Sequence, residues 1–469
     1  MSSRSLNTLN ADLETFLSAL LKVTGKDNLL TDSADCWSYG YDNSRLHHLP
    51  DAVAFATDHE QISAIIKLCY EYKIPVVARG RGTGTTGATT PVRGGLVLSM
   101  ERMNRILDMD PDNRSITVEP GVTNQQVQDA AGEHGFFWPP DPTSAAFCTV
   151  GGNLAYNSAG PRAVKYGTPR ENTLGLHAIT GTGESIRTGV RTTKGVVGYD
   201  LTRLLIGSEG TLAIISEATL KLTPKAQSKH TMQAIYTSID GACRAVSSIM
   251  AQPTIPCALE FIDAAAIEMV RSYSPAKLPE QAGALLMIEV DGPVAGIKHA
   301  VDEIRQAAQN EDLIEFINAE TEKDVADLWA TRKALSPALR TVAPKKINED
   351  VVVPVSRIPE LINGLEKLAQ THDIKIVNFG HAGNGNIHVN LLIDPDDSQQ
   401  MQRADACLDE VFSLVLTLNG SLSGEHGIGL VKREFIAREI DSVSLQLMKA
   451  IKRQFDPHDI LNPDKIFPA

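Results

Sequence analysis

Residues 76–87 read VVARGRGTGTTG, and the chain continues as ATTPVRGGLVLSM over residues 88–100. Val76, Val77 and Ala78 form a short apolar run of the kind that makes a buried strand, and it leads directly into glycines. Gly82-Thr83-Gly84-Thr85-Thr86-Gly87 matches the G-x-G-x-x-G spacing of dinucleotide-binding turns, and Glu101 stands near the distance expected of a ribose-binding acid. That motif requires a helix immediately after the glycines, so that helix N–H groups face a pyrophosphate. Here Pro91, Gly94 and Gly95 occupy the place of that helix, so the Rossmann reading fails. What remains is a run of small residues whose backbone N–H groups can close around a diphosphate, with Arg79 and Arg81 as counter-charges. A surface glycine loop without a ligand is the alternative reading of this stretch alone.

Working outward, Ile62, Ile65, Ile66 and Cys69 keep helical spacing over residues 58–72, and Asp58 with Gln61 resembles a capping box. Residues 115–119 read as a strand, and Thr123 with Gln126 opens a helix that stops near Gly135. Residues 136–160 are too rich in Gly, Pro, Ser and Asn for one regular element, and irregular stretches of that length inside a domain are usually functional. Strands are expected at 177–180, 204–206 and 211–219, with 221–224 closing a first domain. Beyond it, helices are expected at 258–272 and 294–307, and strands at 285–290 and 350–354.

The 469 residues exceed what one hydrophobic core usually supports, which predicts two large domains. A net charge of -13 with no Lys/Arg block excludes a nucleic-acid partner. The six cysteines contain no C-x-x-C pair, so neither a zinc ribbon nor an iron–sulfur centre fits. The first 22 residues read as an amphipathic helix rather than a signal peptide, and no run is long enough to span a bilayer. The expected location is cytoplasmic, with a peripheral contact at the inner face of a membrane left open.

Three further stretches carry the same polar, glycine-rich character: PPDPTS at 139–144, GGNLAYNSAG at 151–160 and KYGTPREN at 165–172. Together with residues 76–87 and IGSEGTL at 206–212, they resemble the FAD-binding fold shared by vanillyl-alcohol oxidase and p-cresol methylhydroxylase. The resemblance covers nearly the whole chain. It implies an α+β, two-domain FAD-binding fold with an α+β substrate domain: residues 1–224 hold FAD, 225–425 hold substrate and metal, and 426–469 return to the flavin domain. By this resemblance Gly80, Arg81, Gly82, Thr83, Gly84, Thr86 and Gly87, with Arg79, wrap the pyrophosphate. Pro140, Asp141, Thr143, Ser144, Gly151 and Gly152 line the ribityl and phosphate side. Ser158 and Gly160 approach the flavin and Ile214 the adenine half, and Asn157, Tyr166, Gly210 and Asn462 complete the cofactor set. Relatives that tether their flavin place a His where Thr83 stands, so non-covalent FAD is expected. Most relatives also have Gly where Asp464 stands.

The second half contributes IKIVNFGHAGNGNIHVNLLI at 374–393. Alternation along 387–393 puts His388 and Asn390 on one strand face, and a Gly-Asn-Gly turn can fold His381 back beside His388. Two imidazoles near one point suit a divalent metal, and Glu425 of GSLSGEHGIG is a candidate anionic third ligand. Structural or surface histidines are the alternative. H-x-G-x-G-N-x-H followed by E-H-G resembles the D-2-hydroxyacid dehydrogenases, which include D-lactate and D-2-hydroxyglutarate dehydrogenases and the glycolate oxidase flavoprotein subunit. The resemblance implies His381, His388 and Glu425 as ligands of Zn or Mn, and His426 as the catalytic base.

Residues 321–340 read as an amphipathic helix on which Trp329, Arg332 and Ser336 share a face. Arg332 can clamp a carboxylate in bidentate fashion or serve as an ordinary surface charge. The resemblance favours Arg332 and Ser336 as substrate contacts, with Asn390 in the same set. Relatives selective for 2-hydroxyglutarate carry a Lys at the position of Asn348, whereas here Lys346 lies two residues earlier. D-lactate or another short monocarboxylate is therefore favoured, with Lys346 as the stand-in for a dicarboxylate. The expected electron acceptor is a quinone, an electron-transfer flavoprotein or a cytochrome, and a homodimer is compatible with the fold. Rival readings are a non-redox flavoenzyme of the same fold, a metal-dependent hydrolase, which leaves the loops from Gly80 to Gly167 unexplained, and a non-catalytic flavin-binding module.

Overall fold

The computed structural model describes residues 6–271 and 278–468, except for the side chains of residues 6–11, 333, 336, 337 and 340. The chain divides into two units, residues 1–159, 167–225 and 425–469 forming one and residues 160–166 and 226–424 the other.

In the first unit, strand Val76–Arg79 lies at the edge of a four-stranded sheet whose order continues through Leu96–Ser99, Ala52–Phe55 and Leu29–Leu30. The first three of these run parallel. Parallel strands are covered on both faces, which is why their sequences are unbroken apolar runs rather than alternating ones. Phe16 and Leu20 of helix Leu6–Thr24 and Ile62, Ile65, Ile66 and Cys69 of helix His59–Tyr72 complete this core. Asp58 caps the latter helix by accepting from Gln61 N at 2.7 Å. The Gln61 side chain reaches back one residue further than a capping box requires, accepting from Thr57 N at 2.9 Å. Near the C-terminus the chain returns to the edge strand, with Val76 N donating to Ile460 O and Asn462 N to Val76 O, both at 2.7 Å.

A second sheet of the same unit has five antiparallel strands, in the order Ile106–Asp110, Ser115–Val118, Ala213–Lys221, Thr173–Thr180 and Ser185–Gly189. Thr123 and Gln126 form the expected reciprocal capping box for helix Asn124–Glu133. Residues 204–206, expected as a strand, instead end the helix Leu201–Leu205, because Asp200 caps its N-terminus by accepting from Arg203 N. The cap, four residues upstream of the apolar run, outweighs its strand-like composition.

The second unit is built on a seven-stranded antiparallel sheet: Leu313–Asn318, Ser228–Tyr236, Ala284–Gly292, Ala258–Asp263, Lys375–His381, Asn386–Ile393 and Lys345–Val352. Residues 258–272 were expected as one helix, but they begin as the strand Ala258–Asp263. Asp263 then caps a shorter helix, Ala264–Val270. An apolar run of this length fits either period, and the buried Asp is what divides it. The strand expected at 350–354 begins earlier, as Lys345–Val352. Helices Ala264–Val270 and Glu322–Val342 pack on the sheet through Ile267, Val270, Leu335 and Leu339 against Ile235, Leu285, Met287, Val377 and Phe379. Among the described residues no helix is long and apolar enough to cross a membrane.

Candidate functional site

Two hollows that share Gly80, Thr89, Thr149, Gly152 and Tyr156 open in the first unit. One is lined by Arg79, Gly151, Gly210, Ile214 and Asn462. The other is lined by Arg81, Gly82, Thr83, Gly84, Thr143, Ser144, Ser158, Glu425 and His426. Glycines bare the backbone in these walls, and the loop is fitted to its surroundings so closely that a Cβ on Gly84 would lie 2.4 Å from the Tyr156 hydroxyl. Gly82 adopts φ 64°, the left-handed region where a side chain is strained. Backbone N–H groups in a glycine-lined hollow fit the diphosphate of a dinucleotide.

Other residues expected at the cofactor do not line either hollow. Pro140 O accepts from Asn124 Nδ2, and Asp141 N donates to Ala159 O, so both brace the polar loop from behind. Asn157 ends a helix at φ 58° and accepts from Thr168 Oγ1 and Arg170 N. Thr86 and Gly87 pack on the segment after His426: Thr86 O accepts from Leu430 N, and a Cβ on Gly87 would lie 3.1 Å from Leu430. Gly160 and Tyr166 belong to the second unit, where the Tyr166 hydroxyl donates to Asp291 Oδ2 at 2.7 Å. Arg79 turns back under its own loop and donates to Tyr41 O. Asn462 does more than line the hollow: its Nδ2 donates to Ala88 O at 2.9 Å and Glu209 O at 2.7 Å, stitching two glycine-rich loops together. Asp464 takes φ 60°, as a glycine would, and its carboxylate holds Arg93 through both Oδ atoms.

In the second unit, strands Lys375–His381 and Asn386–Ile393 form a hairpin that pairs His381 with Asn386 and Phe379 with His388. Both imidazoles thus fall on one face, with ring centroids 5.2 Å apart and planes at 85°. Both are buried, at 7% exposure each. Gly424 is fixed to the same sheet, its N–H donating to Asp350 Oδ2 at 2.8 Å, and Asp350 pairs with His388 in the strand register. Glu425 is the next residue after Gly424. Two imidazoles on one strand face, with a carboxylate next in the chain to a residue bound to the same sheet, fit a divalent cation of the zinc or manganese type.

Glu260, on strand Ala258–Asp263, supports this cluster and was not singled out from sequence. Its Oε1 pairs with His381 Nδ1 at 2.5 Å and its Oε2 accepts from Arg332 Nε at 3.1 Å. Burial pushes the Glu260 carboxyl up, but His381 and Arg332 outweigh it and hold the group below its ordinary range. An ionised Glu260 takes the Nδ1 proton of His381 as a hydrogen bond and leaves Nε2 as the donor to a cation. The only signal in sequence was an acid inside an apolar run, CALEFID at 257–263.

Arg332 also lies over the Phe379 ring, 4.8 Å from its centroid, which fixes the guanidinium beside the histidine hairpin. Asn390 is wholly buried and accepts from Asn348 Nδ2 at 2.7 Å while donating to Val377 O. Lys346 is exposed at the far end of its strand, four residues before Asp350. Ser336 lies in helix Glu322–Val342, with its side chain outside the described residues.

Two family models match this chain. Residues 50–189 match a family model described as an FAD binding domain, and residues 225–466 match one described as the C-terminal domain of FAD linked oxidases. The chain is 39% identical to glycolate oxidase subunit GlcD of Bacillus subtilis, covering 96% of each chain. It is 33% identical to the D-lactate dehydrogenase of Anaerostipes hadrus, covering 89% of each. Among solved structures it resembles p-cresol methylhydroxylase, with a TM-score of 0.79 at 18% identity over 97% of this chain and 96% of the other. It also resembles 4-ethylphenol oxidase of Gulosibacter chungangensis, with a TM-score of 0.77 at 17% identity over 98% of each.

Proposed function

Because this chain belongs to the FAD-linked oxidases, in the group of glycolate oxidase GlcD and D-lactate dehydrogenase, we propose that it oxidises a D-2-hydroxy acid, D-lactate foremost, to the 2-keto acid. The observation that carries this reading is the facing pair His381 and His388 on one strand face, with Glu425 and His426 following Gly424, which is bound to the same sheet. When bound, non-covalent FAD would supply the acceptor for the C2 hydride, and a Zn or Mn ion would acidify the substrate hydroxyl.

The protein's own residues do the rest. His381, His388 and Glu425 would hold the cation, and Glu260 selects the tautomer in which His381 presents Nε2. Arg332, steered by Glu260 and Phe379, takes the substrate carboxylate. His426 accepts the hydroxyl proton. Lys346 lies about 13 Å along the strand from Asp350, which supports a short acid over a dicarboxylate such as 2-hydroxyglutarate. Electrons then pass to a quinone, an electron-transfer flavoprotein or a cytochrome.

Anaerobic mixing of the FAD-loaded protein with D- and L-2-hydroxy acids, followed by flavin absorbance, tests this. D-lactate bleaches the flavin, its L-isomer does not, and chelator abolishes the bleaching until Zn or Mn is returned. Bleaching that survives complete metal removal would sink the cation's role, and indifference to every D-acid would sink the substrate class.

A further inference from the structure

His426 is followed by Gly427, Ile428 and Gly429. What holds that turn is Glu209, from the IGSEGTL stretch. Glu209 is 6% exposed, and its carboxylate accepts from Ile428 N at 2.6 Å and Gly429 N at 2.8 Å. Gly427, at φ 82°, is wedged so tightly that an added Cβ would lie 2.7 Å from both Glu209 Oε1 and the Tyr156 ring. On the other side Thr86 Oγ1 donates to His426 O at 3.3 Å, and Thr86 O accepts from Leu430 N at 2.8 Å. Glu209 is itself held in place, at φ 52°, by Asn462 on its carbonyl.

We infer that Glu209 is a positioning residue: by clamping the two amides that follow Gly427, its carboxylate sets the direction of the His426 imidazole. This rests on the reading of His426 as the proton acceptor. A carboxylate can accept from both amides, whereas a glutamine amide offers one oxygen and turns its NH₂ on the second donor. The misdirection acts on a proton transfer that depends on hydrogen-bond reach, so it falls on the chemical step rather than on substrate binding.

The test is a double-mutant cycle on the full chain loaded with FAD and zinc, with D-lactate as substrate. Glu209→Gln lowers kcat about 10-fold or more with KM nearly unchanged and FAD retained, but takes nothing further from His426→Ala. Losses that multiply in the double variant, or an unchanged kcat in Glu209→Gln, overturn the inference. Should Glu209→Gln release its FAD, Glu209→Asp is read in the same cycle. Loss of FAD from both variants also overturns it, making Glu209 a support of the flavin hollow. A second readout needs no turnover: in the cofactor-free chain, the imidazole NMR signals of His426, assigned by their disappearance in His426→Ala, shift in Glu209→Gln, and fixed signals count against the inference. If His426→Ala alone turns over normally, the functional reading fails, and the NMR arm still decides whether Glu209 directs that ring.

Discussion

The hollows of the first unit are bared by glycines, Gly80, Gly82, Gly84 and Gly210 in loops and Gly151 and Gly152 in the first turn of helix Val150–Tyr156, whereas the second unit presents side chains from strands, at Glu260, His381 and His388. Backbone N–H groups recognise a phosphate by enclosing it, and they tolerate no added atoms. Side chains on a sheet recognise a cation by charge and donor type, and the pleat sets their spacing. The two regions should therefore fail in different ways when altered, and each change below should damage one capacity while sparing the other.

The largest effect is expected from His388→Ala. Turnover should fall about 10³-fold, equivalent to about 4 kcal/mol of lost transition-state stabilisation, with zinc content by atomic spectroscopy falling in parallel and the yellow flavin retained. Loss of flavin together with metal would break the comparison, because the two capacities would then not be separable. Glu260→Gln should act more gently, weakening metal affinity about 10- to 100-fold as measured by competition with a chelator, since the His381 tautomer is no longer enforced. An unchanged metal affinity would mean that Glu260 serves Arg332 alone.

On the backbone side, Gly82→Ala places a Cβ in the left-handed region and 2.3 Å from the Arg79 guanidinium. FAD affinity, followed by flavin fluorescence, should drop about 10-fold, while kcat at saturating FAD stays close to that of the unaltered protein. A fall in kcat without a fall in affinity would show that the glycine loop serves the chemistry rather than the cofactor.

The same contrast explains what could be read from the sequence. Strand periodicity is a local rule, so the alternation over 387–393 and the Gly-Asn-Gly turn were enough to put His381 and His388 on one face. Glycine runs announce where backbone must be bare, so the loop at 80–87 and the glycine pair at 151–152, which opens helix Val150–Tyr156, were legible as a cofactor wall. Which loop residues face inward was not legible, because no period governs a loop: Asn157 and Asp141 stand in the same polar stretches as Ser158 and Thr143 but brace them from outside. Glu260 and Glu209 were missed for a related reason. Each meets its partners across a large sequence separation, His381 in one case and Ile428 and Gly429 in the other, and nothing in its own neighbourhood signals the pairing.

The smallest effect tests the frame of the first unit rather than its hollow. His59, at the start of helix His59–Tyr72, stacks on His177 of strand Thr173–Thr180, with ring centroids 3.5 Å apart and planes at 18°. Both Nε2 atoms lie within hydrogen-bond distance of Ser185 Oγ, and His59 Nδ1 bonds Ser216 Oγ at 2.7 Å. Burial, reinforced by His59 and Arg187, pushes His177 down to about 4, from the ordinary value of about 6.5. Between those two values the unfolded chain binds more protons than the folded one, so His177 costs stability as pH falls through that window and nothing above it. Glu209 pulls the other way, since burial raises its carboxyl to about 7 and the folded chain then holds the extra proton between about 4.5 and 7. The informative quantity is therefore the difference between His177→Gln and the unaltered protein, not the raw curve. From pH 7 to pH 4.5 the melting temperature of the variant should fall less, by about 3 °C, and the two curves should run parallel above pH 7. Parallel curves throughout the acid range would mean that the stacked pair takes up its proton without strain, and that this joint between helix and sheet is indifferent to charge.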